Sequence, residues 1–445
     1  MEHTIYALAT AKGMSGVAII RVSGPQALES FKTLTDRDKV ESRFATRVDL
    51  KHPVSRETMD KAIAIFFASP KSFTGEDIAE YHIHGGPAVI DAVLEALSHC
   101  KNHRLAEPGE FTRRAFENGK MDLTEAEGLN DLIHAQTQLQ KEQALEQMSG
   151  SLTSLYEGWA EDLKTMLAYL EADLEFPDED LPEGIFPTLI PKIKALIGSI
   201  ENHLNDNRRG ELLRDGIKVA IIGAPNAGKS SLLNAVAQRD VAIVSDIAGT
   251  TRDVMEVYLN ISGYPVILSD TAGLRPDQIT GDSAQDIIEA EGIRRALKCA
   301  READIKLLVY DATNKVLDPH TQALEDENSI ILLNKIDAGI NAPKPEKALE
   351  ISVKKDQGLG TLIERLTAYI ETIAGRSSGP ALTRERHREA LICCAEALHR
   401  ALEAKLPEMS AEDLRIAIRY LGKITGRVDV EDLLDVIFKD FCIGK

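Results

Sequence analysis

Hydrophobic and polar positions change their spacing several times along this chain. Residues 1–118 hold short apolar runs, Gly16-Val17-Ala18-Ile19-Ile20-Arg21-Val22 and Ala62-Ile63-Ala64-Ile65-Phe66-Phe67, with one helical segment from Pro87 to Leu97. That mixture predicts an α+β domain. Over 119–215 the apolar spacing becomes three to four residues. Leu123, Ala126, Leu129, Leu132, Ile133 and Leu139 form one stripe; with gaps, Leu145, Met148, Leu152, Leu155, Trp159, Leu163, Met166 and Leu170 form another. Amphipathic helices are expected there, and again from Leu189 to Leu204. Between them, Glu171 to Glu183 holds seven acidic residues and no basic one, which predicts a solvated loop. From 216 to 374 apolar strands alternate with helices, as in a doubly wound α/β domain. Ser377-Ser378-Gly379-Pro380 reads as a linker, and 375–445 is helical again. The fold class expected is multidomain α/β: an α+β N-terminal domain, a helical domain in two parts, and an α/β domain inserted between those parts.

Composition narrows the class. A chain of 445 residues exceeds what one core usually holds, so two to four domains are expected. With 43% hydrophobic and 28% charged residues, it reads as an ordinary globular protein. No apolar stretch approaches the ~20 residues that span a bilayer. Met1-Glu2-His3-Thr4 lacks the basic start of a signal peptide, and five scattered cysteines, with Cys393 and Cys394 adjacent, suit a reducing compartment. A cytoplasmic location is expected. A net charge of −19 argues against broad nonspecific binding of nucleic acid, while leaving room for a local basic surface.

The densest chemistry lies in 223–273. Gly223-Ala224-Pro225-Asn226-Ala227-Gly228-Lys229-Ser230 fits the P-loop pattern G-x-x-x-x-G-K-[ST]. It follows an apolar strand, Ile217 to Ile222, and precedes a helical pattern, Ser231 to Val236. Such a loop turns backbone N–H groups onto a polyphosphate at a helix N-terminus. Lys229 then offsets phosphate charge, and the Ser230 hydroxyl suits Mg²⁺. Asp270-Thr271-Ala272-Gly273 supplies the second phosphate and metal contact. Asp246-Ile247-Ala248-Gly249-Thr250-Thr251-Arg252-Asp253 has the makings of a first switch loop, with Thr251 as a second hydroxyl ligand. The buried strand Ile330 to Leu333 ends in Asn334-Lys335-Ile336-Asp337. An Asp placed there accepts both the N1–H and the exocyclic amine of guanine, with Ile351-Ser352-Val353-Lys354 backing the base. The expected nucleotide is GTP, contacted by Asn226 to Ser231, Ser245 to Thr251, Asp270 to Gly273, Asn334, Lys335 and Asp337. Leu274 stands where many GTPases carry a water-orienting Gln, so that task must pass elsewhere.

Taken together, G-x-P-N-x-G-K-S, G-T-T-R-D and D-T-A-G-L-R resemble bacterial GTPases of the Era and Der kind. The flanks are similar to one family in particular. Ser72-Phe73-Thr74-Gly75-Glu76-Asp77, His84-Gly85-Gly86, Pro108-Gly109-Glu110-Phe111-Thr112-Arg113-Arg114-Ala115-Phe116 and Cys442-Ile443-Gly444-Lys445 resemble the MnmE (TrmE) family of tRNA-modification GTPases. The resemblance runs in order over essentially the whole chain.

It implies a K⁺-assisted GTPase whose G domains meet across a homodimer. The side chain of Asn226 and the backbone carbonyls of Ser245, Ile247 and Thr250 would hold K⁺; Ser230 and Thr251 would hold Mg²⁺. The family's water-positioning Glu falls on Glu289, with Glu291 as competitor because the stretch Arg275 to Asp286 is long. Arg21, Glu80, Lys120 and Lys445 match positions that hold 5-formyl- or 5,10-methylene-tetrahydrofolate in the N-terminal domain, although each alone reads as a surface charge. Cys442 belongs to the family's terminal motif; nucleophile, acid/base and structural roles all stay open. The family works with an FAD-containing MnmG-type partner on carbon 5 of the wobble uridine of certain tRNAs, and no flavin fingerprint is evident in this chain. Two alternatives are an Era/Der-like ribosome-assembly switch and a stand-alone folate-dependent transferase.

Overall fold

The computed structural model describes residues 3–175, 185–239, 255–270, 297–375, 379–428, 431–439 and 441–444. The chain divides into two compact units: Met1–Asn130, Met148–Ala168 and Leu414–Lys445 in one, Asp131–Gln147 and Tyr169–Asp413 in the other.

The first unit opens with β1 (Thr4–Leu8), β2 (Ser15–Ser23), α1 (Ala27–Thr35), β3 (Thr46–Lys51), β4 (Thr58–Phe67), β5 (Ile78–Gly85), α2 (Pro87–Ser98), β6 (His103–Leu105) and α3 (Glu110–Glu117). The strands form one sheet in the order β3-β4-β5-β2-β1-β6. Strand alternation sorts its side chains. Tyr6, Ala18, Ile20, Val22 and Tyr81 pack with Phe31 of α1 and Val93 of α2. On the other face, Ile5 and Ala7 meet Phe111 of α3 and Ala106, which precedes that helix. In register, Ala7 lies opposite Arg21 and Arg21 opposite Glu80, so the pair shares the Phe111 face. Two helices here exceed the single one expected. α1 and α3 are only nine and eight residues long, and α3 buries Glu110 and Arg114, so neither shows a sustained apolar stripe.

The stretch expected to be helical resolves into α4 (Leu123–His134), α5 (Gln138–Met148), α6 (Ser151–Glu175), α7 (Ile185–Leu204) and α8 (Arg209–Asp215). α6 runs five residues into the acidic run, which overturns the loop expectation for Glu171 to Glu175. Leu170 is fully buried and anchors the final turns, and charges on an exposed helix face do not stop a helix. The rest of that run, 176–183, lies outside the described residues.

The central segment contains β7 (Ile217–Gly223), α9 (Lys229–Ala237), β8 (Met255–Ile261), β9 (Tyr264–Asp270), β10 (Ile305–Asp311), β11 (Ser329–Asn334), β12 (Leu349–Glu350) and α10 (Leu359–Ala374). Its sheet runs β12-β11-β10-β7-β9-β8, parallel throughout except for β8 against β9. Both faces are covered, which is why β7 reads as a near-continuous apolar run. Ile217, Val219 and Ile221 join Leu232, Leu362 and Leu366 on one side; Ala220 and Ile222 join Leu308 and Leu333 on the other. The chain passes from β7 to β9 on one flank and to β10 on the other. The carboxyl end of β7 is therefore a topological switch point, where open α/β sheets bind ligands.

The chain ends in α11 (Glu385–Glu403), α12 (Pro407–Thr425) and α13 (Glu431–Lys439). α11 packs on α7. Leu434 and Phe438 of α13, with Phe441, pack on Leu123 and Ala126 of α4. No helix among the described residues is long and apolar enough to cross a membrane.

Candidate functional site

Sheet register lines up the polar groups of the central segment. Gly223 ends β7 opposite Val309 of β10, Asp270 ends β9 opposite Ile221, and Asp311 of β10 stands level with Asn334 of β11. All lie at the carboxyl ends of parallel strands. Two glycines permit the close approach. A Cβ on Gly223 would stand 2.4 Å from the Val309 carbonyl oxygen. Gly228, at φ +100°, would place one 2.3 Å from Asn334 Nδ2.

Gly228 also begins α9, so Lys229 and Ser230 occupy its first turn. Lys229 is buried, and its ammonium donates to the carbonyls of Gly223 and Ala224, both at 3.1 Å. Burial pulls that ammonium below the usual lysine value, which Asp270 and Asp318 only partly offset. The Ser230 hydroxyl donates to Asp270 Oδ2 at 2.5 Å. The other oxygen, Asp270 Oδ1, is buried and makes no hydrogen bond among the described residues. An orphaned buried carboxylate oxygen beside a hydroxyl suits a hydrated divalent cation.

The loop after β11 closes the same site. Asn334 is buried; its Nδ2 donates to the Ala227 carbonyl at 2.9 Å, and its Oδ1 accepts from the Val353 N–H at 3.3 Å. Lys335 Nζ donates to the Asn226 carbonyl at 2.6 Å. Asp337 is exposed and accepts from the Ser352 hydroxyl at 2.6 Å, which holds its carboxyl below the usual range. Asn226, Ser230 and Ser231 are exposed, while Ala227 is buried. Ser245, Asp246, Ile247, Ala248, Gly249, Thr250, Thr251, Thr271, Ala272, Gly273, Leu274, Glu289, Glu291 and Lys445 lie outside the described residues.

In the first unit, Arg21 Nε donates to Glu80 Oε1 at 2.9 Å, and both side chains are largely buried. The Arg21 guanidinium sits 5.4 Å from the ring centre of Phe73 and 5.8 Å from that of Phe111. Sequence reasoning named neither ring as part of this site; Phe73 and Phe111 lie inside the quoted motifs, which was the available signal. Lys120 is exposed, and its Cε lies 3.1 Å from where a Cβ on Gly75 would stand. Cys442 is exposed at the chain's last turn. Its carbonyl accepts from the Gly109 N–H at 3.4 Å, Ile443 bridges Pro108, and Gly444 lies so near Leu8 that a Cβ would be 2.3 Å from its carbonyl oxygen. The tail thus lies against the end of β1 and the loop that leads into Phe111.

Comparison with known proteins bears on both regions. Residues 4–120 match the model described as GTP-binding protein TrmE N-terminus, and residues 123–442 that of the MnmE helical domain. A tRNA modification GTPase MnmE from Parvibaculum lavamentivorans is 52% identical over 449 residues, covering 100% of both chains. Those of Maricaulis maris and Rhodospirillum rubrum are each 48% identical, covering 100% and 99% of both chains respectively. Among solved structures, the G domain of the T. maritima FeoB iron transporter is similar at 24% identity, covering 34% of this chain and 98% of that one. Its TM-score of 0.25 is too low to bear on fold or function.

Proposed function

Because this chain belongs to the MnmE family of tRNA modification GTPases, we propose that it couples GTP hydrolysis at the β7 switch point to modification of carbon 5 of the wobble uridine in certain tRNAs. The observation that carries the reading is the convergence of Lys229, Ser230, Asp270, Asn334 and Asp337 at the carboxyl ends of β7, β9 and β11. The full-length family match leaves the ribosome-assembly alternative without support.

Each residue has a role in this reading. Asp337 pairs with the guanine edge while Ser352 orients its carboxylate. Lys229 exchanges its bonds to its own loop carbonyls for bonds to the β- and γ-phosphates, recovering there the charge pairing that burial denies it. Ser230 and Thr251 would hold Mg²⁺, which offsets charge on the transferred phosphate. The exposed Asn226 amide, which makes no hydrogen bond among the described residues, would hold K⁺ with the carbonyls of Ser245, Ile247 and Thr250, lending positive charge where other GTPases use an arginine. Glu289, or Glu291 in the neighbouring register, orients the attacking water that Leu274 cannot bind. These cation contacts are completed as the G domains of a homodimer meet.

The Arg21–Glu80 pair between Phe73 and Phe111 fits a pterin: a carboxylate for its amide and amino donors, rings for its faces, and Lys120 with Lys445 for an anionic tail. Tetrahydrofolate in its 5-formyl or 5,10-methylene form supplies the one-carbon unit. Flavin chemistry belongs to an MnmG-type partner in a heterotetramer that acts on tRNA, with Cys442 close to the folate pocket. GTP turnover by the full-length protein in K⁺ and in Na⁺ at equal ionic strength tests the hydrolytic half. Much faster turnover in K⁺ is expected; equal rates refute the cation cage. Glu289→Ala is expected to slow turnover while sparing GTP affinity. If Glu291→Ala does so instead, the neighbouring register is correct.

A further inference from the structure

Asp311, the last residue of β10, uses its two carboxylate oxygens for different tasks. Oδ1 accepts from the Thr313 N–H at 2.9 Å and the Thr313 hydroxyl at 2.7 Å, closing a local turn. Oδ2 accepts from Lys335 Nζ at 2.7 Å, and the same ammonium donates to the Asn226 carbonyl at 2.6 Å. One lysine thus ties the end of β10 and the base-recognition loop to the P-loop. Lys335 and Asn226 both sit at φ 66°, a left-handed conformation that Asn tolerates but a lysine seldom adopts. Burial would raise the Asp311 pKa, but the bonds from Lys335 and Thr313 outweigh it, so the carboxylate stays charged at neutral pH.

We infer that Asp311 is a positioning residue for guanine-nucleotide binding, acting through Lys335 to hold the P-loop at Asn226. The inference rests on reading 223–230 and 334–337 as one nucleotide site. Without Oδ2, the ammonium keeps a single anchor on the Asn226 carbonyl, and that link loses its tie to the end of β10.

Asp311→Asn separates the two oxygens. Its carbonyl keeps the Thr313 turn, while its amide nitrogen cannot accept from Lys335. Fluorescent-GDP affinity is measured for full-length wild type, Asp311→Asn, Lys335→Met and the double variant, with melting temperatures of the nucleotide-free proteins. Asp311→Asn is expected to weaken GDP binding about tenfold, the scale of one charge-assisted hydrogen bond, at an unchanged melting temperature. The double variant is expected to bind no more weakly than Lys335→Met alone. An affinity within twofold of wild type overturns the assignment. So do losses that multiply in the double variant, or a lowered melting temperature that accounts for the loss. Wild type that binds no GDP would instead overturn the nucleotide site itself.

Discussion

Gly228→Ala tests whether the P-loop is held by the close contact seen between Gly228 and Asn334. The substitution carries two separable penalties. A side chain at φ +100° costs about 1–2 kcal/mol in backbone strain. The new methyl would also stand 2.3 Å from Asn334 Nδ2 and push that side chain off its two bonds, to the Ala227 carbonyl and the Val353 N–H. At about 1 kcal/mol each, those bonds add about 2 kcal/mol. The free loop can relax away from this geometry and GDP must restore it, so the total of about 3–4 kcal/mol is drawn from binding, a weakening of two to three orders of magnitude. Gly339→Ala is the control without a clash: at φ +103° and ψ 153° its backbone also disfavours a side chain, yet nothing lies within 4 Å of the added Cβ. It bears a backbone penalty alone, about 1–3 kcal/mol, so its loss is expected to be smaller than that of Gly228→Ala. Fluorescent-GDP titration of both full-length variants measures the difference. Gly228→Ala binding within tenfold of wild type, or no more weakly than Gly339→Ala, would refute the reasoning.

Other consequences follow from burial and charge. Iodoacetamide at pH 8 is expected to label the exposed Cys442 first in the native protein. Cys394, whose thiol burial pushes up to about 12, and Cys100, pushed up to about 11, are expected to react only after unfolding; peptide mass spectrometry reads the order. Burial would raise the Glu110 pKa, but bonds from Arg104, the Glu107 backbone and Arg114 outweigh it, leaving the folded value below the unfolded one. Its stabilisation is thus full above the unfolded glutamate value of about 4.3 and is lost as pH falls through the folded value. Glu110→Gln is expected to be less stable at pH 7 and to show a shallower acid dependence, read from near-ultraviolet circular dichroism. Phe111, fully buried, is expected to cost about 3–5 kcal/mol on change to Ala, read as a lowered denaturation midpoint of the first unit.

What could be read from sequence was local. The P-loop, its strand and its helix are contiguous, so residues 217–236 announce themselves. The alternation of Ala18, Ile20 and Val22 similarly marks a half-buried strand. Hidden features depend on register between distant segments. Asp311 meets Lys335 only because β10 and β11 pair in parallel, and Arg21 meets Glu80 across two strands 59 residues apart. α3 escaped notice because it is short and its buried positions are mixed: beside Phe111 and Ala115 it buries Arg114, bonded to Glu76 and Glu110, both at 3.0 Å, so no apolar stripe forms. The C-terminal tail's place beside Gly109 and Leu8 has no local signature at all, and only resemblance to a family pointed to Cys442.

The most direct measurement is nucleoside mass spectrometry of bulk tRNA from cells lacking this chain, complemented with wild type or with Gly228→Ala. The account predicts that 5-aminomethyl-type wobble uridines disappear, return with wild type, and stay absent with Gly228→Ala. A nucleoside profile unchanged by removal of the chain would contradict it.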